Sequence, residues 1–263
     1  MYYYSGVRHP SPSSWNEEKF MAKSTRIFMI ALLVLATGIG TATAAQWSTT
    51  SMSLLKGSGY DLTSSEDATI MTLEHASGWK YGDSFLFFDI FQPFDKDTSI
   101  YGEWHPRLSF GKMTQKSYAF GPVKDVLLAT ELNVGYHNRV YLYGLGFDFD
   151  IPHFKFFTIN VFMRDAVREG NEATWQISPS WNIPFTIGSA RFECGGFIDY
   201  SGADSEGSES QLIIVPQVLL DVSNFAGAPQ NFYVGIEYQY WQNKYGVKDA
   251  EDNLVQAMAK WVF

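Results

Sequence analysis

The stretch from Gly82 to Gln92, Gly-Asp-Ser-Phe-Leu-Phe-Phe-Asp-Ile-Phe-Gln, constrains this chain more than any other, because at a period of two it divides into two unlike faces. Asp83, Phe85, Phe87, Asp89 and Phe91 share one face; Ser84, Leu86, Phe88, Ile90 and Gln92 form the other, which has no ionisable group. In a soluble sandwich the apolar face turns inward, and three Phe in a row then look at bulk water, an aggregation hazard. A wall between lipid and an aqueous lumen removes the conflict. The oily face meets lipid, and the mixed face meets a narrow channel whose solutes carry a flat ring and polar edges.

Composition agrees with a membrane strand rather than a membrane helix. The chain of 263 residues is 17% aromatic and only 18% charged, below the roughly 25% charged of soluble domains. Yet its mean hydropathy is -0.13. A bundle of membrane helices would be clearly hydrophobic, whereas a transmembrane barrel is apolar at every second residue only. The net charge of -9 argues against a nucleic-acid partner. The single cysteine, Cys194, excludes an internal disulfide and reads as a small residue on a strand.

Alternating segments recur along the chain, separated by Gly, Pro, Asn and Asp turns. We place strands at Trp47 to Leu55, Thr69 to Ser77, Asp83 to Gln92, Gly102 to Gly111, Lys124 to Val134, Arg139 to Asp148, Lys155 to Arg164, Ala173 to Ile183, Arg191 to Tyr200, Gln211 to Asp221, Asn231 to Trp241 and Asn253 to Phe263. Twelve is an even number, as a closed antiparallel barrel with both termini on the periplasmic side requires. The faces separate cleanly: Thr174, Gln176, Ser178, Ser180 and Asn182 oppose Trp175, Ile177, Pro179, Trp181 and Ile183. Trp79, Tyr81, Trp104, Tyr141, Trp175 and Trp261 fall near strand ends, where amphipathic rings meet a membrane interface. The fold class is therefore an all-β transmembrane antiparallel barrel spanning residues 45–263. Acidic tips with Asp95 and Asp97, with Asp204, Glu206 and Glu209, and with Asp249, Glu251 and Asp252 are expected to be solvated on the extracellular side, facing lipopolysaccharide.

Residues 1–44 read as an extension plus an export signal. Residues 1–20 are polar and without period, and Met21 restarts the chain as a leader would, so the first twenty residues read as a start-site artefact or a trimmed extension. Lys23 and Arg26 supply the charged region, Ile27 to Ala36 the apolar run and Ala42-Thr43-Ala44 the cleavage site. The run is too short and too broken by Thr37, Gly38 and Gly40 to span a bilayer.

Strand parity assigns the lumen. The predicted solute-contacting set is Phe85, Phe87, Phe91, Asp83, Asp89, Glu74, Arg107, Arg191, Glu193, Glu237 and Trp241. Glu103, Asp125, Glu131, Asp199, Arg164 and Lys260 complete the lumenal charges, whose plain role is to pair across strands and plug the interior. The aromatics have no plugging duty that Leu could not perform, and a planar base stacked on such a ring gains roughly 1 to 3 kcal/mol. No catalytic constellation emerges: the five His are scattered, and His105, beside Glu103 and Arg107, lacks the Ser-Asn-Gly run of outer-membrane phospholipases. Neither a glycine-rich phosphate loop nor metal-ligand spacing is present, so the sequence predicts no cofactor, no metal and no enzyme.

Taken in order, the Trp47 strand, the run Gly-Trp-Lys-Tyr-Gly-Asp-Ser-Phe-Leu-Phe-Phe-Asp-Ile-Phe from Gly78, Pro-Arg-Leu-Ser-Phe from Pro106, Phe-Gly-Pro-Val-Lys-Asp from Phe120 and the closing Phe resemble the nucleoside-specific outer-membrane channels of Gram-negative bacteria, Tsx, with the related OmpK porins. The resemblance implies a monomeric twelve-stranded barrel in the outer membrane that passes nucleosides along a lumen of aromatic and ionisable side chains. It carries over residue by residue only to Asp83, Phe85, Phe87 and Asp89. It also implies recognition of the closing Phe263 by the barrel assembly machinery and, as the alternative function, a structural barrel or phage or colicin receptor with a plugged lumen. Amino-terminal sequencing of the mature protein is expected to start at or near Ala45; a chain retaining the apolar run Ile27 to Ala36 would contradict the leader.

Overall fold

Side chains that alternate between oil and water can be satisfied on both faces only if the sheet separates the two, and a sheet in oil must have no edge. The computed structural model, which describes residues 45–263 except 64, 95–97, 136–138, 167–172 and 205–206, shows that solution. Residues 1–44, expected to be an extension and leader, lie outside the described residues, as do Asp95, Asp97 and Glu206. Twelve strands follow one another: β1 (Trp47–Ser58), β2 (Asp67–Trp79), β3 (Gly82–Phe91), β4 (Ser99–Ser109), β5 (Val123–Val134), β6 (Arg139–Phe149), β7 (Phe156–Ala166), β8 (Thr174–Ile187), β9 (Ala190–Ser201), β10 (Gln211–Asp221), β11 (Phe232–Gln242) and β12 (Glu251–Val262). Each pairs antiparallel with its neighbours in sequence, and β1 pairs with β12 to close the barrel.

The outward face is oily. Met52, Leu54, Leu73, Phe88, Leu128, Leu145, Val161, Ile177, Val218 and Ile236 are all exposed around the wall, a belt that no water-soluble surface of this extent carries. Rings gather at both rims. Trp79 meets Tyr81 edge-on, Phe185 stacks on Phe192, and Phe232 packs against Trp261 at the rim carrying both termini; Trp175 meets Tyr200 at the other. Trp104 departs from the expectation. Because β4 begins at Ser99, Trp104 lies at mid-strand, and its indole N–H donates to Ser84 Oγ at 2.8 Å on β3 instead of reaching an interface. Phe88 lies over Gly102 on the same face, and a β-carbon there would fall 2.5 Å from the ring, so the glycine admits the phenyl group.

At the rim of the termini, β2 joins β3 and β8 joins β9 through two residues each. At the rim of the termini, the segment after β4 curls into a one-turn helix, α1 (Phe110–Thr114), where Ser109 accepts from the Lys112 N–H at 3.0 Å as a cap and Gln115 ends it in the left-handed conformation. Phe110 and Gly111, expected in the strand, belong to this helix for that reason. The segment after β10 starts a 3₁₀ turn capped by Asp221.

One expectation about the tips fails. Asp252 is not solvated: it is completely buried and pairs with Lys244 Nζ at 2.8 Å. β12 starts at Glu251, two residues early, and its parity turns Asp252 inward. There it also accepts from Gln239 Nε2 and from the backbone N–H of Asp61, tying the β1–β2 connection to β12.

Parity can be tested at adjacent positions. Ile177→Lys places an ammonium in the lipid belt and should cost about 2–4 kcal/mol of folding stability. Ser178→Lys faces the lumen beside Asp199 and should cost distinctly less. Equal urea midpoints for the two variants in detergent or lipid would contradict the assigned faces.

Candidate functional site

Strand register builds the lumenal wall in rungs. β3 and β4 pair Phe85 with His105 and Phe87 with Glu103, and β4 and β5 pair Glu103 with Asn133 and Trp104 with Leu132, which sets His105 across from Glu131. Two parallel rungs result: Phe85, His105, Glu131 and, next to it, Phe87, Glu103, Asn133. Each starts with a phenyl ring and ends with groups that hydrogen-bond.

The rings are close. Phe85 and Phe87 lie 5.9 Å apart between centroids; His105 is 5.6 Å from Phe85, and Tyr101 is 6.1 Å from Phe87. All four remain partly exposed to the interior. Phe91, expected as a third stacking surface, instead packs against an inward-facing cluster that includes Leu55, Ile70, Leu254 and Met258. It pairs with Ile70, so its neighbours across β2 are aliphatic.

Acids around these rings are held by partners from distant segments. Arg107 grips Asp83 with Nε at 2.7 Å and Nη2 at 2.8 Å, and reaches Asp148 with Nη1 at 2.8 Å. This bidentate fork fixes a planar charge at one level of the lumen. Glu74 accepts from Lys260 Nζ and from Ser51 Oγ. Asp89 accepts from Thr72 Oγ1 at 2.6 Å. Glu237 accepts from Gln217 and Gln256, and Gln256 is in turn reached by Tyr60. His105 bridges Glu103 at 2.8 Å and Glu131 at 3.1 Å, and Tyr101 donates to Glu103. Asp199 sits on β9, five strands around the barrel from β4, yet it interacts electrostatically with Glu103 and Glu131.

The remaining members of the predicted set lie apart. Glu193 faces inward and contacts Asn182 Nδ2 at 3.1 Å and Tyr233. Arg191 follows the lumenal parity but is exposed near the rim of the termini. Trp241 lies at the other rim, 4.7 Å from the Tyr245 ring, with the Lys244 ammonium 5.5 Å from its own. The structure thus joins Phe85, Phe87, Asp83, Arg107 and Asp89 along one wall and separates Arg191 and Trp241 from them. Sequence reasoning missed Tyr101, Asp148, Lys244 and Asp252 as lumenal partners. Parity extended one residue beyond the predicted starts of β4 and β12 would have found Tyr101 and Asp252; their partners, and those of Asp148 and Lys244, need inter-strand register.

A lipid-belted closed barrel with a charged, ring-lined interior is the architecture of an outer-membrane barrel of Gram-negative bacteria. Residues 42–262 match the family described as nucleoside-specific channel-forming protein, Tsx, and the chain belongs to that family. Two curated relatives are similar: outer membrane protein OmpK of Vibrio parahaemolyticus serotype O3:K6, 27% identical over 168 residues that cover 59% of this chain and 60% of that protein, and an OmpK of Vibrio parahaemolyticus, 28% identical over 163 residues, 57% of each. The matched part thus spans less than two thirds of those relatives. Among solved structures, a KdgM porin superposes with a TM-score of 0.49 at 9% identity, covering 81% of this chain and 99% of that one.

The Arg107 fork yields a test of lumenal charge. Arg107→Leu leaves Asp83 and Asp148 facing each other's neighbourhood without their shared cation. Stability should fall by about 1–3 kcal/mol, less than the 3–5 of a fully buried pair because lumenal water reaches both carboxylates. The reversal potential in a salt gradient should shift toward cation selectivity; an unmoved potential would remove these charges from the ion path.

Proposed function

We propose that this chain is a passive, substrate-selective channel for nucleosides. The observation that carries it is the pair of partly exposed rings Phe85 and Phe87, flanked at one end by the Arg107 fork and at the other by Asp89 and Tyr101. A nucleoside has a flat base for the rings and ribose hydroxyls for carboxylates that accept, or phenols that do both. The family description points to the same solute class. Weak contacts at successive rungs suit transport, since a channel must bind well enough to admit a solute and loosely enough to release it. A twelve-stranded barrel lies between filled eight-stranded barrels and open porins of sixteen or more strands, which favours contact between solute and wall. We read the protein as a monomer, assembled through recognition of Phe263 and surrounded by lipid and lipopolysaccharide.

A second reading rests on a specific observation. Inward-facing Leu55, Ile70, Leu219, Leu254 and Met258 pack together on one side, and Ala129, Val140, Leu142 and Phe162 on another. Such filling favours a structural or receptor barrel with a plugged interior. Ion current through single barrels decides between the two. Nucleoside-induced block of the wild-type current is expected, and Phe87→Leu should weaken that block about tenfold if ~1.4 kcal/mol of stacking is lost. Asp89→Asn should weaken it less, because an amide oxygen still accepts from a ribose hydroxyl. Wild-type block absent altogether would leave the plugged barrel; wild-type block in Phe85→Leu and Phe87→Leu alike would make the rings packing.

A further inference from the structure

The two rungs end in a group that the nucleoside reading does not use. Glu103, His105 and Glu131 offer one ligand atom each, all within 4.8 Å of one another. Both ring nitrogens of His105 face carboxylates, Nε2 toward Glu103 at 2.8 Å and Nδ1 toward Glu131 at 3.1 Å. A fourth donor adjoins them. Asn133 follows Glu131 on the lumenal face of β5, lies opposite Glu103 and donates to Glu131, yet its Oδ1, in a side chain more than nine-tenths buried, has no hydrogen-bond partner. A buried carbonyl oxygen without a donor costs free energy, and a cation held by the neighbouring Glu131 would satisfy it once the amide turned toward the ion.

Charge argues in the same direction. Glu103, Glu131 and Asp199 converge here, against the imidazole of His105 and the guanidinium of Arg164. Carboxylates outnumber cations, and a divalent ion corrects the excess. The donor set, one imidazole nitrogen with carboxylate oxygens, suits zinc and its neighbours better than calcium or magnesium, which take oxygen alone. Zinc bonds of about 2.0–2.2 Å place neighbouring ligand atoms roughly 3.3 Å apart, so modest rotation of the two glutamates contracts the present triangle onto the ion.

We propose that Glu103, His105 and Glu131, with the Asn133 oxygen beside them, form a lumenal site for a zinc-like divalent transition-metal ion. The ion would sit on the same rungs as Phe85 and Phe87, with His105 in contact with both rings. Its occupancy would obstruct the path past them. The site does not depend on which solute the channel passes, and it is tested without nucleoside.

The measurement is titration of the detergent-folded barrel with zinc chloride, followed by calorimetry and, with cobalt chloride, by visible absorption. One saturable ion per barrel is expected in the micromolar range, together with zinc block of the single-channel current at similar concentrations. His105→Gln and Glu131→Gln should each weaken binding at least tenfold and abolish the cobalt absorption. Heat-modifiable electrophoretic mobility reports whether each variant folds; Glu103→Gln, a near-isosteric change, serves if the others do not. Absence of saturable wild-type binding below about 1 mM, a level at which affinity is only ~4 kcal/mol, would overturn the proposal. So would undiminished binding in the folded variants, since the ion would then belong to surface carboxylates.

Discussion

Closure of β1 onto β12 is the constraint on which everything else rests. Ser51 pairs with Val262 and Lys56 with Ala257, and the ladder has no free edge. In hydrocarbon an unpaired backbone N–H or C=O costs several kcal/mol, so an open sheet of these strands could not sit in a membrane. Closure then makes parity absolute. Each strand has one face toward lipid and one toward the lumen, and a register slip of one residue would exchange every side chain between the two.

The lumen is where this arrangement meets its electrostatic cost. Carboxylates from many strands share a narrow space, and the structure answers with bonds that span the wall: Arg107 to Asp83 and Asp148, Lys260 to Glu74, Lys244 to Asp252. The Lys244 pair is the most enclosed, and it also draws in the backbone of Asp61 and the ring of Tyr60. It therefore anchors the β1–β2 and β11–β12 connections over one rim. The interior is filled unevenly, with aliphatic clusters on two sides. The Phe85 and Phe87 wall is the side where rings and hydrogen-bonding groups alternate.

In the proposed channel, that alternation would link selectivity to wall chemistry rather than to size alone. A flat solute gains from a ring only in contact with it, and a barrel of twelve strands is narrow enough to favour that contact. In the proposed channel, the polar groups beside Phe85 and Phe87 would then decide which flat solutes are held. The proposed ion site lies on this wall, where both ring nitrogens of His105 face carboxylates.

The sequence by itself determined the strands and their faces. A period of two, imposed by the contrast between lipid and water, is written into each segment separately, so Asp83 to Phe91 and Thr174 to Asn182 could be assigned inward or outward residue by residue. It did not determine who meets whom. Trp104 and Asp252 were misplaced because three and two residues of extra strand at the starts of β4 and β12 are set by the pairing partner and not by local composition. The His105–Glu131 contact and the Arg107–Asp148 bond depend on inter-strand register, and the Asp199 approach depends on barrel curvature. Phe91 reads like Phe85 and Phe87 in sequence, yet β2 presents Ile70 to it and Glu74 to Phe87. Local alternation records only which medium a side chain faces; hydrogen-bond register and closure decide its neighbours, and those are properties of the whole barrel.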